Sequence, residues 1–178
     1  SDTQYILGFG DIHYGATYKS INNEYSRAEC KRRFGVLLSY MEEFIKSENI
    51  SHLKIINVSD TIQGILRMTD LQINDIPVVD SVVEISRILA EFLNELSASC
   101  SIEYYHAPQA NHSQTRPLGS KASEVATEDM ERIIINYVSD LLSNNDRVEV
   151  ITNFEKDYVD IKIFDFECFA THGHKIKD

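Results

Sequence analysis

The sequence runs to 178 residues with 43% hydrophobic and 25% charged side chains, and its nine Tyr and eight Phe argue against a disordered chain. Seventeen basic residues against 28 acidic ones give a net charge of −11, which argues against a protein that grips nucleic acid mainly through a broad basic face. Bound cations can still bring phosphate to an acidic protein by reversing the local field.

Tyr5-Ile6-Leu7-Gly8-Phe9 reads as a buried strand feeding a Gly10-Asp11 loop. From about Arg27 to Ser47, Phe34, Leu37, Leu38, Met41, Phe44 and Ile45 recur at helical spacing. Leu53 to Val58 predicts a second strand, and Pro77 to about Leu96 a long helix with proline in its first turn. Ile102 to His106 predicts a third strand, followed by a polar loop from Ala107 to Lys121 and a helix from about Ser123 to Leu142. Val148–Ile151, Tyr158–Ile163 and Phe166–Ala170 then read as three short strands in a meander. The alternation predicts one α/β domain over residues 1–178 with a mostly parallel sheet, its ligand site beyond the carboxyl ends of the strands.

Cys30, Cys100 and Cys168 are widely spaced and odd in number, so they predict buried, reduced thiols in a cytoplasmic protein and neither a disulfide framework nor a thiolate zinc site. No apolar run reaches membrane-span length and no signal-peptide pattern opens the chain, so no membrane partner is expected. The start at Ser1 and the stop at Asp178 read as cuts.

Four polar clusters follow predicted strands: Gly10-Asp11-Ile12-His13-Tyr14-Gly15, Ser59-Asp60, Ala110-Asn111-His112 and Thr171-His172-Gly173-His174. Each has a bland reading. Asp60 would serve as a helix cap before Thr61, Asn111-His112 would satisfy a loop, and His172-Gly173-His174 would be a solvated tail. Together they assemble oxygen and nitrogen donors suited to Mn²⁺, Fe or Zn²⁺. Asp60 can bridge two cations, and such a pair clamps a phosphoryl group and acidifies a bound water.

In content and order these clusters resemble the calcineurin-like metallophosphoesterases, whose pattern is D-x-H, G-D, G-N-H-[D/E], a histidine often within H-G-H, and a final G-H-x-H. The chain departs from it at Ser59 and Ala110, each in place of glycine (with Gly64 a little downstream), and at Ser113, in place of the acid that steadies the preceding histidine. The final motif is missing, so the expected fold is the family's β-sandwich flanked by helices, in α-β-β-α layers, incomplete at its C-terminus. Reading His172-Gly173-His174 as that last motif compressed is the alternative.

The resemblance implies that Asp11 and His13 bind a first metal, Asp60 bridges, and Asn111 and His172 bind a second. It implies that His112 contacts the phosphate and protonates the leaving oxygen, with a metal-bridging hydroxide as nucleophile. Two divalent ions are expected, Mn²⁺ first, with Fe, Zn²⁺ or Ni²⁺ as alternatives. The implied activity is phosphoester hydrolysis by a phosphodiesterase or DNA exonuclease-like enzyme, on a substrate that includes DNA among its options. A fragment lacking the last motif would bind metal poorly or be inactive. The competing class is a non-catalytic binding or scaffold module on the same fold.

Around these clusters, Arg116 is a candidate phosphate contact and His174 is either a supporting residue or tail. Tyr14, Tyr18, Lys19 and Tyr25 lie in the long loop after the first cluster, where the aromatics either stack on a nucleobase or pack the loop, with packing favoured. Gln63 receives no role, and His52 and His106 are read as non-functional. Glu42, Glu43, Glu48, Glu124, Glu128, Asp129 and Glu131 are expected on solvated helix faces.

Overall fold

A computed structural model describes residues 3–117, 119–174 and 176. Leu118, inside the expected polar loop, and the two chain ends at Ser1 and Asp178 lie outside the described residues. The elements run β1 (Tyr5–Phe9), β2 (Tyr18–Lys19), β3 (Glu24–Tyr25), α1 (Arg27–Glu48), β4 (His52–Asn57), α2 (Met68–Ile73), α3 (Val78–Leu96), β5 (Ser101–His106), a short 3₁₀ turn (Ala122–Glu124), α4 (Glu131–Leu141), β6 (Val148–Ile151), β7 (Val159–Ile163) and β8 (Phe166–Ala170).

Strands β1, β4, β5 and β6 form one parallel sheet in that order. The chain is thus a mixed α/β fold built on a four-stranded parallel sheet. Val148–Ile151 pairs with β5 instead of opening a meander, which corrects the sequence expectation for the last third. Its apolar Val148 and Val150 join the core beneath the helices, and this burial favours the fourth sheet position. Of the three strands expected there, β7 and β8 form an antiparallel hairpin, and near the start of the chain β2 pairs antiparallel with β3.

Helix α1 begins where Ser26 accepts the Glu29 amide at 3.2 Å. It ends where Asn49 adopts a left-handed φ of 54° and the Ile50 amide donates to the Ile45 carbonyl at 2.9 Å. Helix α3 follows Pro77 and buries Val82, Ile85, Leu89, Phe92, Leu93 and Leu96, a stripe at helical spacing. With Leu53, Ile55, Ile102 and Tyr104 of the sheet and Ile134 and Val138 of α4, this stripe makes the main core. Each such side chain contributes on the order of 1.5–3 kcal/mol by leaving water. On the opposite sheet face a smaller cluster joins Ile56 and Ala107 to Val159 and Ile161 of the hairpin.

The last helix begins at Glu131, later than the expected Ser123, because residues 125–130 are held in turns by loop hydrogen bonds. Two expectations about its acids fail: Asp129 and Glu131 are buried, their oxygens taken up by loop amides and hydroxyls. Cys30 and Cys100 are buried as expected, Cys168 is only half-buried, and all three are free thiols. Among the described residues no helix is long and apolar enough to cross a membrane.

Candidate metal centre

The parallel pairing of β1 with β4 continues past the strand ends into the two loops that carry the first two clusters. The Asp11 amide donates to Ser59 O at 3.0 Å, His13 to Asp60 O at 2.9 Å, and Tyr14 to Thr61 O at 2.9 Å. Four of the six non-glycine residues with positive φ among the described residues lie here: Asp11 at 50°, His13 at 47°, Ser59 at 76° and Asp60 at 51°. Each costs on the order of 1 kcal/mol and persists only because its neighbours over-determine it. Asp60 therefore caps no helix. Its left-handed backbone turns its carboxylate into the space beyond the sheet.

That carboxylate is 2% exposed. Its Oδ1 accepts the Asn111 amide at 3.2 Å and the His112 amide at 3.0 Å, and its Oδ2 lies 3.0 Å from His172 Nε2. The third and fourth clusters thus reach the second through Asp60. Asp11, more exposed than its neighbours, places Oδ1 3.4 Å from His13 Nε2 and 4.0 Å from His172 Nδ1. Two donor groups result, His13–Asp60–His112 and Asp11–Asp60–His172, each with its ligand atoms within 4.8 Å of one another. Asp60 belongs to both.

The donor set suits hard-to-borderline divalent cations. Two buried acceptors in the same cluster, His13 Nδ1 and Asn111 Oδ1, have no hydrogen-bond partner among the described residues. Buried polar atoms are nearly always satisfied, so open atoms on two residues of this cluster fit a bound cation. Asp11 stands between His13 and His172 instead of pairing with His13 alone.

His112 packs edge-on against His13, ring centroids 4.6 Å apart, inside the first donor group. Its Nδ1 lies 3.0 Å from the Gln63 carbonyl and 3.3 Å from the Gln63 side-chain nitrogen; the carbonyl can only accept, so a proton on Nδ1 satisfies the shorter contact and leaves Nε2 outside the Gln63 contacts. Gln63 is held in turn by Asp70, its Nε2 donating to Oδ1 at 2.8 Å. Gly64, at φ 70°, lets this segment pass the next loop: a Cβ there would lie 2.0 Å from the His112 carbonyl oxygen. The bracing lost at Ser113 is thus supplied from a different loop. The Ser113 hydroxyl itself donates to Asp129 at 2.5 Å.

The other expected residues fall outside this cluster or at its edge. Arg116 is half-buried, its Nε without a partner among the described residues. The His174 ring lies 5.3 Å from that of His172 and is exposed. Tyr14 and Tyr25 are buried, their hydroxyls engaged with Glu84 and the Ile12 carbonyl, so they pack the loop; exposed Tyr18 stacks on Tyr25 at 5.7 Å.

Sequence reasoning missed the layer beneath. Glu131 accepts the Thr61 amide at 2.7 Å and the Thr61 hydroxyl at 2.8 Å, and pairs with His106 Nε2 at 2.6 Å. His106 Nδ1 meets Tyr104, which accepts from Asn57. Asp129 accepts the Ala110 amide at 2.9 Å, and burial, with the Glu131 carboxylate next to it, pushes its carboxyl up to about 6. The available signal was weak: two acids two positions apart, just ahead of an apolar helical stripe.

No family model and no solved structure matches this chain. It is similar to the SPbeta prophage-derived uncharacterized protein YonJ of Bacillus subtilis (strain 168), at 41% identity over 174 residues. That alignment covers 97% of this chain and 43% of YonJ, so the chain spans less than half the length of this relative.

Proposed function

We propose that this chain carries a calcineurin-like metallophosphoesterase site, with the parallel sheet as one half of that family's β-sandwich, and hydrolyses phosphoesters with two divalent cations. One observation carries the reading: a single buried carboxylate, Asp60, is common to two donor groups built from four separate strand ends. A chance meeting of exposed acids would not bury the shared one or leave acceptors open around it.

Asp11, His13, Asp60, Asn111 and His172 would hold the cations. A cation pair supplies Lewis-acid stabilisation of phosphoryl charge and a nucleophilic water of lowered pKa. The chain's own residues do the rest. Asp60 fixes the amides of Asn111 and His112, which sets the third loop against the second. His112 is within reach of the first donor group, and we assign it to the phosphate beside that cation, with Asn111, whose Oδ1 has no partner among the described residues, in the ligand set in its place. Held at Nδ1 by the Gln63 carbonyl, His112 would act as the acid in its imidazolium form, giving the second proton, on Nε2, to the leaving oxygen.

Phosphodiesters are the substrate class we favour, with linear DNA as the narrower case. At a net charge of −11, DNA would have to be held through the cations, not a basic face.

The test is Mn²⁺-dependent turnover of a chromogenic phosphodiester and a phosphomonoester by the full-length protein. Diester turnover that disappears with chelator and in Asp60→Ala supports the proposal. Silence on both substrates, or equal turnover by Asp60→Ala, overturns it.

A further inference from the structure

Asp129 and Glu131 flank the start of α4 and are almost completely buried, yet neither touches a candidate cation ligand side chain. Each instead grips a loop that carries ligands. Glu131 Oε1 takes the Thr61 amide at 2.7 Å, one residue past Asp60, and Oε2 takes the Thr61 hydroxyl at 2.8 Å. Asp129 Oδ2 takes the Ala110 amide at 2.9 Å, and Oδ1 takes the Ser113 hydroxyl at 2.5 Å, bracketing Asn111 and His112. The two grips are tied together, because the Glu131 amide donates to Asp129 Oδ1 at 3.0 Å. The Met130 amide adds a bond to the Ser113 carbonyl at 3.0 Å.

We propose that Asp129 and Glu131 are positioning residues that lock the Asp60 loop and the Asn111–His112 loop in mutual register for cation binding. The inference rests on the cation-site reading above. Burying two acids side by side is unfavourable for folding unless their oxygens find donors. Four of the six hydrogen bonds their carboxylates make go to backbone and hydroxyl donors of the two ligand loops, and Asp60 sits in a left-handed conformation that something must hold. His106 completes the Glu131 side from within the sheet.

The test is Mn²⁺ titration of the 178-residue chain, followed by the electron paramagnetic resonance of free Mn²⁺, with folding checked by circular dichroism. Glu131→Ala and Ser113→Ala are compared with Ile85→Val, a core change that lowers stability without touching either loop. Loss of outer support weakens metal affinity by about 10- to 100-fold. That loss is expected in Glu131→Ala. Ser113→Ala, the milder change, is expected to lose about tenfold, and it carries the test if Glu131→Ala does not fold. Glu131→Gln should recover most of the affinity, because its carbonyl still accepts from Thr61 and its amide can donate to His106 in the other tautomer. Ile85→Val should bind as the unaltered chain does. Undiminished affinity in the alanine variants, or a loss equal to that of Ile85→Val at equal stability, overturns this inference alone. Failure of the unaltered chain to bind Mn²⁺ overturns the site reading and this inference together.

Discussion

The core under the helices and the basin at the carboxyl ends of the strands are both buried, but different forces hold them. Under the helices Ile85, Leu89, Leu93, Ile102 and Ile134 fill space with carbon, and each gains from leaving water. At the strand ends Asn57, Ser59, Asp60, Thr61, His106, Asp129 and Glu131 are just as dry and almost entirely polar. Every desolvated group there needs a partner, and four backbone positions around the basin are left-handed without being glycine. The core sets how stable the chain is. The basin lowers that stability to hold donors in fixed places, a trade expected where a ligand binds.

The contrast breaks first at Asp60. Asp60→Ala should reduce Mn²⁺-dependent diester turnover to the metal-free rate, measured under saturating Mn²⁺, while the chain stays folded. Leu93→Ala should do the reverse. It should cost about 2–5 kcal/mol in denaturant unfolding and leave Mn²⁺ affinity per folded molecule unchanged.

The basin should also respond to pH where the core does not. The folded chain holds the Asp129 proton up to about pH 6, above the ordinary value of 3.8. A raised carboxyl contributes stability that is present below its unfolded value and lost as pH rises through its folded value. Ionised Asp129 thus costs up to about 3 kcal/mol at neutral pH. Asp129→Asn cannot ionise, so with chelator present it should gain on the unaltered chain as unfolding is repeated from about pH 4 to about pH 7. A gap that stays constant across that window would show that the carboxyl is not desolvated.

Gly64→Ala should cost about 1–3 kcal/mol through its positive φ, and more where the His112 carbonyl must move aside. It should also depress turnover, read as a fall in kcat. The smallest effect is expected at Ser26→Ala, which removes the first hydrogen bond of α1 for about 1 kcal/mol and leaves Mn²⁺ affinity untouched.

Periodicity made the helical core legible: the apolar stripes of α1 and α3 fixed those helices to within a residue or two of their observed ends. It was blind where length ran out. The six residues of α2 and the two-residue strands β2 and β3 carry too few turns or alternations to register. The last helix started late because Asp129 and its neighbours bond to a loop instead of extending the helix. At the site, the four polar clusters could be read because the side chains that converge there follow the ends of strands. Their support could not. Glu131 resembles any solvent-facing acid until the fold brings Thr61, 70 positions earlier in the chain, against it. Gln63 holds His112 through its main-chain carbonyl, which no side-chain pattern encodes.

The central claim is that Asp60 lies between two cations, and anomalous X-ray diffraction from crystals grown with Mn²⁺ tests it most directly. The account predicts two anomalous peaks roughly 3.5–4 Å apart on either side of the Asp60 carboxylate. An absence of peaks there, or a single ion bound away from Asp60, would contradict it.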